Sequence, residues 1–272
     1  MHPNMRPRTI RAAHLIASAT VAGLLALPVA GCKTTGDDIT GSIGPASAPH
    51  SESDWQHALA VWGPRYHANP SDPAAAIGYA QALRATGQRA QAVAVLQQAS
   101  IRNPRNKKVL GAYGRALADA GQYAEALDAL SRAHTPDNPD WHILNAQGAV
   151  LDQMGQHGEA QQHYASALKI VPNEPSVLSN LGLSYALEKK LNRAERTLRK
   201  AMAQPGAEPK VRQNLALVVG LEGHFSEAET IARADLPADQ AEANVAYLRK
   251  MLAQQTASKK KGKHGAPSDA GS

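Results

Sequence analysis

A repeat of 34 residues runs through most of this chain and limits the folds that it can adopt. An alanine recurs six times in this register: Ala58, Ala92, Ala126, Ala160, Ala194 and Ala228. Four residues later the side chain is mostly bulky: Trp62, Leu96, Leu130, Tyr164 and Leu198, then Ala232. Five residues before four of the alanines stands a glycine: Gly87, Gly121, Gly155 and Gly223. Such a period is typical of proteins whose units pack only against their neighbours.

The residue types in this register indicate pairs of antiparallel helices. Glycine allows the left-handed backbone conformation with which a first helix ends and the chain reverses. Alanine lets the second helix approach closely, and the bulky residue one turn later fills the space beside it. Lys189 replaces the glycine once, so we predict a turn that is strained or differently shaped. Strand-like alternation is absent, which predicts an all-α fold.

This pattern resembles the tetratricopeptide repeat. The resemblance implies about five helix pairs within residues 53–256, stacked as a right-handed superhelical solenoid. The concave side would be lined by the first helix of each pair. We predict a half repeat over residues 53–69 and an amphipathic cap helix over residues 241–254, with Val245, Leu248 and Leu252 on one face.

The N-terminal region has a different pattern. Arg6, Arg8 and Arg11 precede a mostly apolar run, which ends in small residues before Cys32, the only cysteine of the chain. This order is the layout of a secretory signal peptide over residues 1–31. The apolar run is too short and interrupted for a confident membrane-spanning helix. Residues 32–52 are rich in small and polar residues, so we predict a flexible linker.

The four residues that end in Cys32, Val-Ala-Gly-Cys, resemble the lipobox of bacterial lipoproteins. The resemblance implies cleavage before Cys32 and acylation of its thiol and its amine. Several acyl chains on one residue give a stable membrane anchor. Lys33, which is not an aspartate, then implies transport to the outer membrane. The alternative is a plain signal peptide with an incidental cysteine.

The positive charge of the chain, a net of +6, lies at its two ends. Residues 1–31 carry three arginines and no acidic residue, residues 257–272 carry four lysines and one aspartate, and residues 32–256 are therefore neutral. This distribution gives little support for nucleic-acid binding. We predict that the Lys-rich tail from residue 257 is disordered. Contact of this tail with anionic lipid or with an acidic partner is the alternative.

No sequence motif indicates catalysis. The chain lacks a Gly-rich phosphate loop, a nucleophile elbow and the common zinc motifs. Its eleven histidines are scattered, and we interpret His157 and His163 as exposed polar positions rather than metal ligands. We therefore predict that the protein is no enzyme and binds no metal or cofactor, apart from the covalent lipid on Cys32. An enzyme with an atypical site in the groove is the less favoured alternative.

The expected concave groove supplies the candidate partner-binding residues. Its N-terminal half is basic and polar: Arg84, Lys108, Arg115, His142, Asn145, Asp152 and Gln153. Its C-terminal half is aliphatic: Leu183, Leu187, Leu217 and Leu221. Such a groove suits an extended or helical peptide with an acidic portion and an apolar anchor. The leucines could instead pack against the cap helix or the next repeat.

Two asparagines of the groove, Asn180 and Asn214, stand one repeat apart. They resemble the asparagines with which some tetratricopeptide repeats clamp a peptide. Residues of this type also stabilise the helices of such repeats without contacting a ligand, and both interpretations are open.

The C-terminal third carries a more specific resemblance. Residues 212–217 (RQNLAL), 235–237 (DLP) and 244–249 (NVAYLR) resemble the C-terminal signature of the TadD lipoproteins of the tight-adherence (Flp) pilus assembly system. The resemblance implies an outer-membrane lipoprotein on the periplasmic face that supports or localises the pilus secretin in the manner of a pilotin. A general periplasmic adaptor for peptidoglycan hydrolases or other envelope proteins is the alternative.

Overall fold

The computed structural model describes residues 51–264 of the chain. The expected signal peptide, Cys32, most of the linker and residues 265–272 lie outside this range. Within it the chain forms twelve helices and one isolated bridge, between Thr135 and Asn138, so the all-α prediction is confirmed. The helices are α1 (Glu52–Ala68), α2 (Pro73–Ala85), α3 (Arg89–Arg102), α4 (Lys107–Asp119), α5 (Tyr123–Ser131), α6 (Trp141–Gln153), α7 (His157–Ile170), α8 (Pro175–Leu187), α9 (Leu191–Met202), α10 (Pro209–Leu221), α11 (Phe225–Ala232) and α12 (Ala238–His264).

The helices form five pairs, from α2 and α3 to α10 and α11, preceded by the half repeat α1 and followed by α12. First helices begin at residues that can cap them: the side chains of Asp72, Asn106 and Asp140 accept hydrogen bonds from the first turns of α2, α4 and α6. Pro175 and Pro209 occupy the first positions of α8 and α10, where no amide hydrogen is needed. The fold is the predicted tetratricopeptide-repeat solenoid.

The turns inside the pairs share one backbone conformation. The four register glycines have φ between 77° and 92°, and Lys189 adopts φ 62° in the same turn of the fourth pair. The turn therefore keeps its shape, and Lys189 carries the strain of a left-handed conformation, which a side chain with a Cβ adopts at a cost of roughly 1 kcal/mol.

The register alanines lie at the closest contact between helices. Ala92, Ala126, Ala160, Ala194 and Ala228 are all 0% exposed. Ala58 is half-buried, because α1 has no preceding first helix among the described residues. The bulky residue one turn later fills a gap left by glycine: a Cβ at Gly148 would lie 2.6 Å from the Tyr164 ring, and one at Gly182 would lie 2.7 Å from Leu198. Close packing therefore fixes the register.

The pairs stack so that their two helices form different layers. Each first helix contacts the first helix of the next pair, from α2 through α4, α6, α8 and α10 to α12. Among the described helices, second helices of neighbouring pairs do not pack together in this way, although the side chains of Arg199 on α9 and Glu227 on α11 form an ion pair. The first helices therefore form a continuous inner layer, as expected for the groove side, and the second helices form an outer layer.

Helix α12 closes the C-terminal end of the inner layer. Ala241, Val245 and Leu248 are buried against α10 and α11, and Leu252 is half-buried, so the predicted cap helix is present. The helix continues to His264, ten residues beyond its predicted end. The first eight residues of the expected disordered tail are thus helical, and five of them are alanine or lysine, which favour helix.

Candidate functional site

All the predicted groove residues lie on first helices, in the inner layer. They are Arg84 on α2, Lys108 and Arg115 on α4, His142, Asn145, Asp152 and Gln153 on α6, Asn180, Leu183 and Leu187 on α8, and Asn214, Leu217 and Leu221 on α10. The structure does not bring the polar residues together as one open binding surface. It divides the set into side chains that bond across neighbouring repeats and side chains that remain partly open.

Three polar contacts join equivalent faces of successive first helices. Arg84 on α2 forms an ion pair with Asp119 on α4. The amide of Asn180 donates to the Asn145 side chain at 3.0 Å, which joins α8 to α6.

The third contact is made by the amide of Asn214, which donates to the hydroxyl of Ser179 at 3.0 Å and joins α10 to α8. The two asparagines thus show the contacts of the helix-stabilising interpretation. A direct ligand role for them stays a prediction.

A buried polar network joins α6, α7 and α8. The carboxylate of Asp152 accepts hydrogen bonds from the hydroxyls of Ser184 (2.8 Å) and Tyr164 (2.9 Å), and lies 2.8 Å from Nδ1 of His157. We call these four residues the Asp152 network. Burial raises the pKa of Asp152, although the three hydrogen bonds act in the opposite direction. Burial also raises the pKa of Tyr164, and the nearby Asp152 charge adds to this effect.

The prediction that His157 and His163 are exposed is wrong. His157 and His163 are half-buried rather than exposed. His157 contacts Asp152, and the Nδ1 atom of His163 is buried without a hydrogen-bond partner. The sequence did not reveal the Asp152 network, because the partners of Asp152 stand 5, 12 and 32 residues away along the chain.

The basic end of the groove is less accessible than the sequence suggests. Arg115 is 7% exposed and Asn145 is 1% exposed. His142 is half-buried with its ring centroid 3.6 Å from that of Trp141, and burial lowers its pKa against the raising effect of Asp140. Among the predicted polar residues only Lys108 and Gln153 are exposed. An acidic ligand would therefore meet few accessible cations here.

The aliphatic end has the opposite character. Leu183 and Leu187 on α8, and Leu217 and Leu221 on α10, are half-buried, and none of them belongs to a described core cluster. Met251 on α12 stands one repeat after Leu217 and is half-buried too. We call these five residues the aliphatic row. The row leaves part of an apolar surface open across three adjacent first helices.

The described residues were also compared with the requirements of a metal site and of a membrane-spanning helix. Between residues 51 and 264, no group of three or more histidine, cysteine, aspartate or glutamate side chains could hold a metal ion. In the same range no helix combines the length and the apolar character needed to cross a membrane.

Comparison with known proteins supports the fold. Residues 54–133 match the family model of the anaphase-promoting complex, cyclosome, subunit 3. No curated protein matches the chain.

Three solved structures have a fold similar to that of this protein. PilW, a widely conserved type IV pilus biogenesis factor, has a TM-score of 0.60 at 18% identity, over 71% of this chain and 91% of that one. PilF of Pseudomonas aeruginosa has a TM-score of 0.51 at 18% identity, over 67% and 81%. A chain of the APC/C hetero-tetramer Cut9-Hcn1 has a TM-score of 0.59 at 14% identity, and this protein covers 75% of itself but only 41% of that chain. At such identities the similarity shows the fold alone.

Proposed function

We propose that this protein is a lipid-anchored scaffold on the periplasmic face of the outer membrane that assists assembly of a Flp (tight-adherence) pilus. Its partner would be the secretin of that system, which it supports or localises in the manner of a pilotin. The solenoid fold and the type IV pilus proteins among the structures of similar fold support this proposal. The lipobox-like residues that end in Cys32 support the membrane anchor. The TadD-like segments support the assignment to the Flp pilus system.

The aliphatic row is the observation that carries the proposed binding mode. The polar contacts of the inner layer are largely made within the protein, whereas the row leaves apolar surface on α8, α10 and α12. Each Å² of such surface removed from water contributes roughly 25 cal/mol. An apolar face of a helical or extended partner segment is therefore the expected ligand.

The polar contacts assist this binding indirectly. The bonds of Asn180, Asn214 and the Asp152 network hold α6, α8 and α10 in fixed positions before a partner arrives. A preformed surface loses less conformational freedom on binding. The protein thus acts by binding, without catalysis or a cofactor, and the lipid on Cys32 is its only covalent addition.

The anchor sets where this surface acts. Acyl chains on Cys32 would retain the protein at the membrane. A flexible segment of about 20 residues has an r.m.s. span of roughly 25 Å, which lets the solenoid reach a partner beside its anchor.

The binding mode is tested by the double substitution Leu183→Asp with Leu217→Asp. We expect loss of secretin from pull-down experiments, with helical content and melting temperature nearly unchanged, because both side chains are already partly exposed. A matched control places two aspartates on the outer layer, Ser131→Asp with Gln162→Asp, at exposed positions. Retained secretin binding in the leucine variant, or equal loss in the control, contradicts the groove as the binding site.

The cellular role is tested by the amount of heat-resistant secretin multimer in outer-membrane fractions. Cells with the wild-type gene, a deletion and Cys32→Ala are compared. Loss of multimer in both mutants supports a tethered secretin assistant. Unchanged multimer in the deletion contradicts this role and favours the general periplasmic adaptor.

A further inference from the structure

Helix α9 and the turn before it concentrate positive charge on the outer layer. Six cations stand within residues 189–200, and all are exposed: Lys189, Lys190, Arg193, Arg196, Arg199 and Lys200. The only acidic residue in this segment is Glu195. We call these six cations the α9 basic face. It lies on the second helix of the fourth pair, away from the inner layer that carries the aliphatic row.

The protein itself neutralises only part of this charge. Lys190 pairs with Glu188 at 2.8 Å, and Arg199 pairs with Glu195 and Glu227, each at 2.6 Å. The guanidinium of Arg193 lies 4.2 Å from the centroid of the Tyr185 ring. The other three cations form no ion pair with any described residue: Lys189, Arg196 and Lys200.

The segment departs from the rest of the repeat in two unfavourable ways. Like charges stand three or four residues apart on α9, at Arg193 and Arg196 and again at Arg196 and Lys200, and such pairs repel on a helix. Lys189 also holds the left-handed conformation that glycine holds in the other four turns. Both departures place a cation on the surface at the expense of stability. Local conflicts of this kind concentrate where a surface serves binding.

The neighbouring outer helices restrict the width of any ligand. Helix α11 carries two glutamates and no cation within its bounds, with Glu229 paired to Arg233 directly after the helix, and α7 carries one glutamate and one lysine. With histidine neutral, α7, α9 and α11 together carry a net charge of +1, whereas α9 alone carries +3 and gains Lys189 and Lys190 at its start. A flat anionic membrane would meet the acidic side chains of α11 as well. A narrow ligand that follows α9 would not.

We propose that the α9 basic face binds an acidic segment of a protein partner, a run of aspartate or glutamate side chains that lies along this helix. From Lys189 to Lys200 the face is about 16 Å long at the helical rise per residue. A ligand of about three helical turns, or a shorter extended peptide, spans it. This second surface is independent of the proposed groove and lets the solenoid hold two segments at once.

The test uses the full-length chain and a fluorescein-labelled 16-residue peptide of alternating glutamate and alanine. Fluorescence anisotropy at about 50 mM salt should show saturable binding that weakens as salt increases, because exposed charges are then screened. Arg196→Gln with Lys200→Gln should weaken binding about tenfold, the effect of losing two charge contacts.

The matched control is Arg89→Gln with Arg105→Gln, which removes the same charge from exposed positions at the start of α3 and in the loop that follows it. It should change the affinity less than about twofold, since general screening acts equally on both variants. Circular dichroism checks that both variants remain folded. Absence of saturable binding, or equal weakening in both variants, overturns the proposal.

A second arm distinguishes a membrane from a protein segment. Vesicles that contain phosphatidylglycerol are sedimented with the wild-type chain and with the two double variants. The proposal expects no difference between the variants in the sedimented fraction. Vesicle binding that depends on Arg196 and Lys200 assigns the face to anionic lipid and overturns the proposal.

Discussion

The third helix pair, α6 and α7, and the fourth, α8 and α9, share one backbone arrangement but use their side chains differently. The third pair buries Asp152 among hydrogen-bond donors and turns at Gly155. The fourth pair places Ala186 where the third has Asp152, shows Leu183 on its inner face, and turns at a lysine. The repeat thus fixes the positions that pack, and the remaining positions are free to stabilise the stack or to face a partner.

The largest effect on stability should come from Asp152→Ala, which gives the third pair the residue that the fourth already has. Tyr164 and Ser184 are almost fully buried and would lose the acceptor of their hydroxyls. An unsatisfied buried donor costs about 1 to 3 kcal/mol, so we expect the free energy of unfolding to fall by roughly 3 kcal/mol. Urea unfolding measures the change.

Two variants show whether the lost hydrogen bonds cause this effect. Asp128→Ala on α5 removes an exposed carboxylate and should change the free energy of unfolding by less than about 0.5 kcal/mol. Adding Tyr164→Phe to Asp152→Ala should recover about 1 kcal/mol, because it removes an unpaired hydroxyl. If the double variant is less stable than the single one, the network does not act as described.

The next effect tests what the two pairs have in common. Ala160→Leu and Ala194→Leu should each lower the free energy of unfolding by about 1 to 3 kcal/mol, since both alanines are 0% exposed between helices. Thermal or urea unfolding of each variant gives the value. The same substitution at half-buried Ala58 should cost less. Equal effects at Ala58 and Ala160 would contradict the link between the burial of a register alanine and the cost of enlarging it.

The smallest expected effect on stability comes from the turns of the third and fourth pairs, at Gly155 and Lys189. Lys189→Gly should raise the free energy of unfolding by about 0.5 to 1 kcal/mol, because glycine adopts φ 62° without strain. Gly155→Ala should lower it by about 1 kcal/mol through φ alone, since a Cβ there meets no atom within 4 Å. The melting temperatures of the two variants should therefore move in opposite directions. A lower melting temperature for Lys189→Gly would mean that the lysine side chain stabilises the fold.

Much of the fold could be predicted because each repeat residue acts within one or two turns of its neighbours. Gly87 and Gly121 marked the turns, Ala92 and Ala126 marked the closest packing, and Val245 with Leu248 marked the cap. Helix α12 extends to His264, beyond its predicted end at residue 254, because the prediction ended the helix where the amphipathic pattern ends.

The candidate site was harder to predict because its contacts join residues one repeat apart. Periodicity assigned Arg84, Asn145, Asn180 and Asn214 to the inner layer, and the structure places them there. It could not show that Asn180 bonds to Asn145 rather than facing a ligand.

The sequence by itself determined the number of helix pairs, their turns and the layer of every candidate residue, because a helix has a fixed periodicity and each turn requires a particular backbone conformation. Only the tertiary structure decided which inner-layer side chains remain open. That choice depends on which side chains of neighbouring helices the packing brings together, often from residues about one repeat apart. The packing of neighbouring helices buries Asp152 and Arg115 and leaves Leu183 and Leu217 partly exposed.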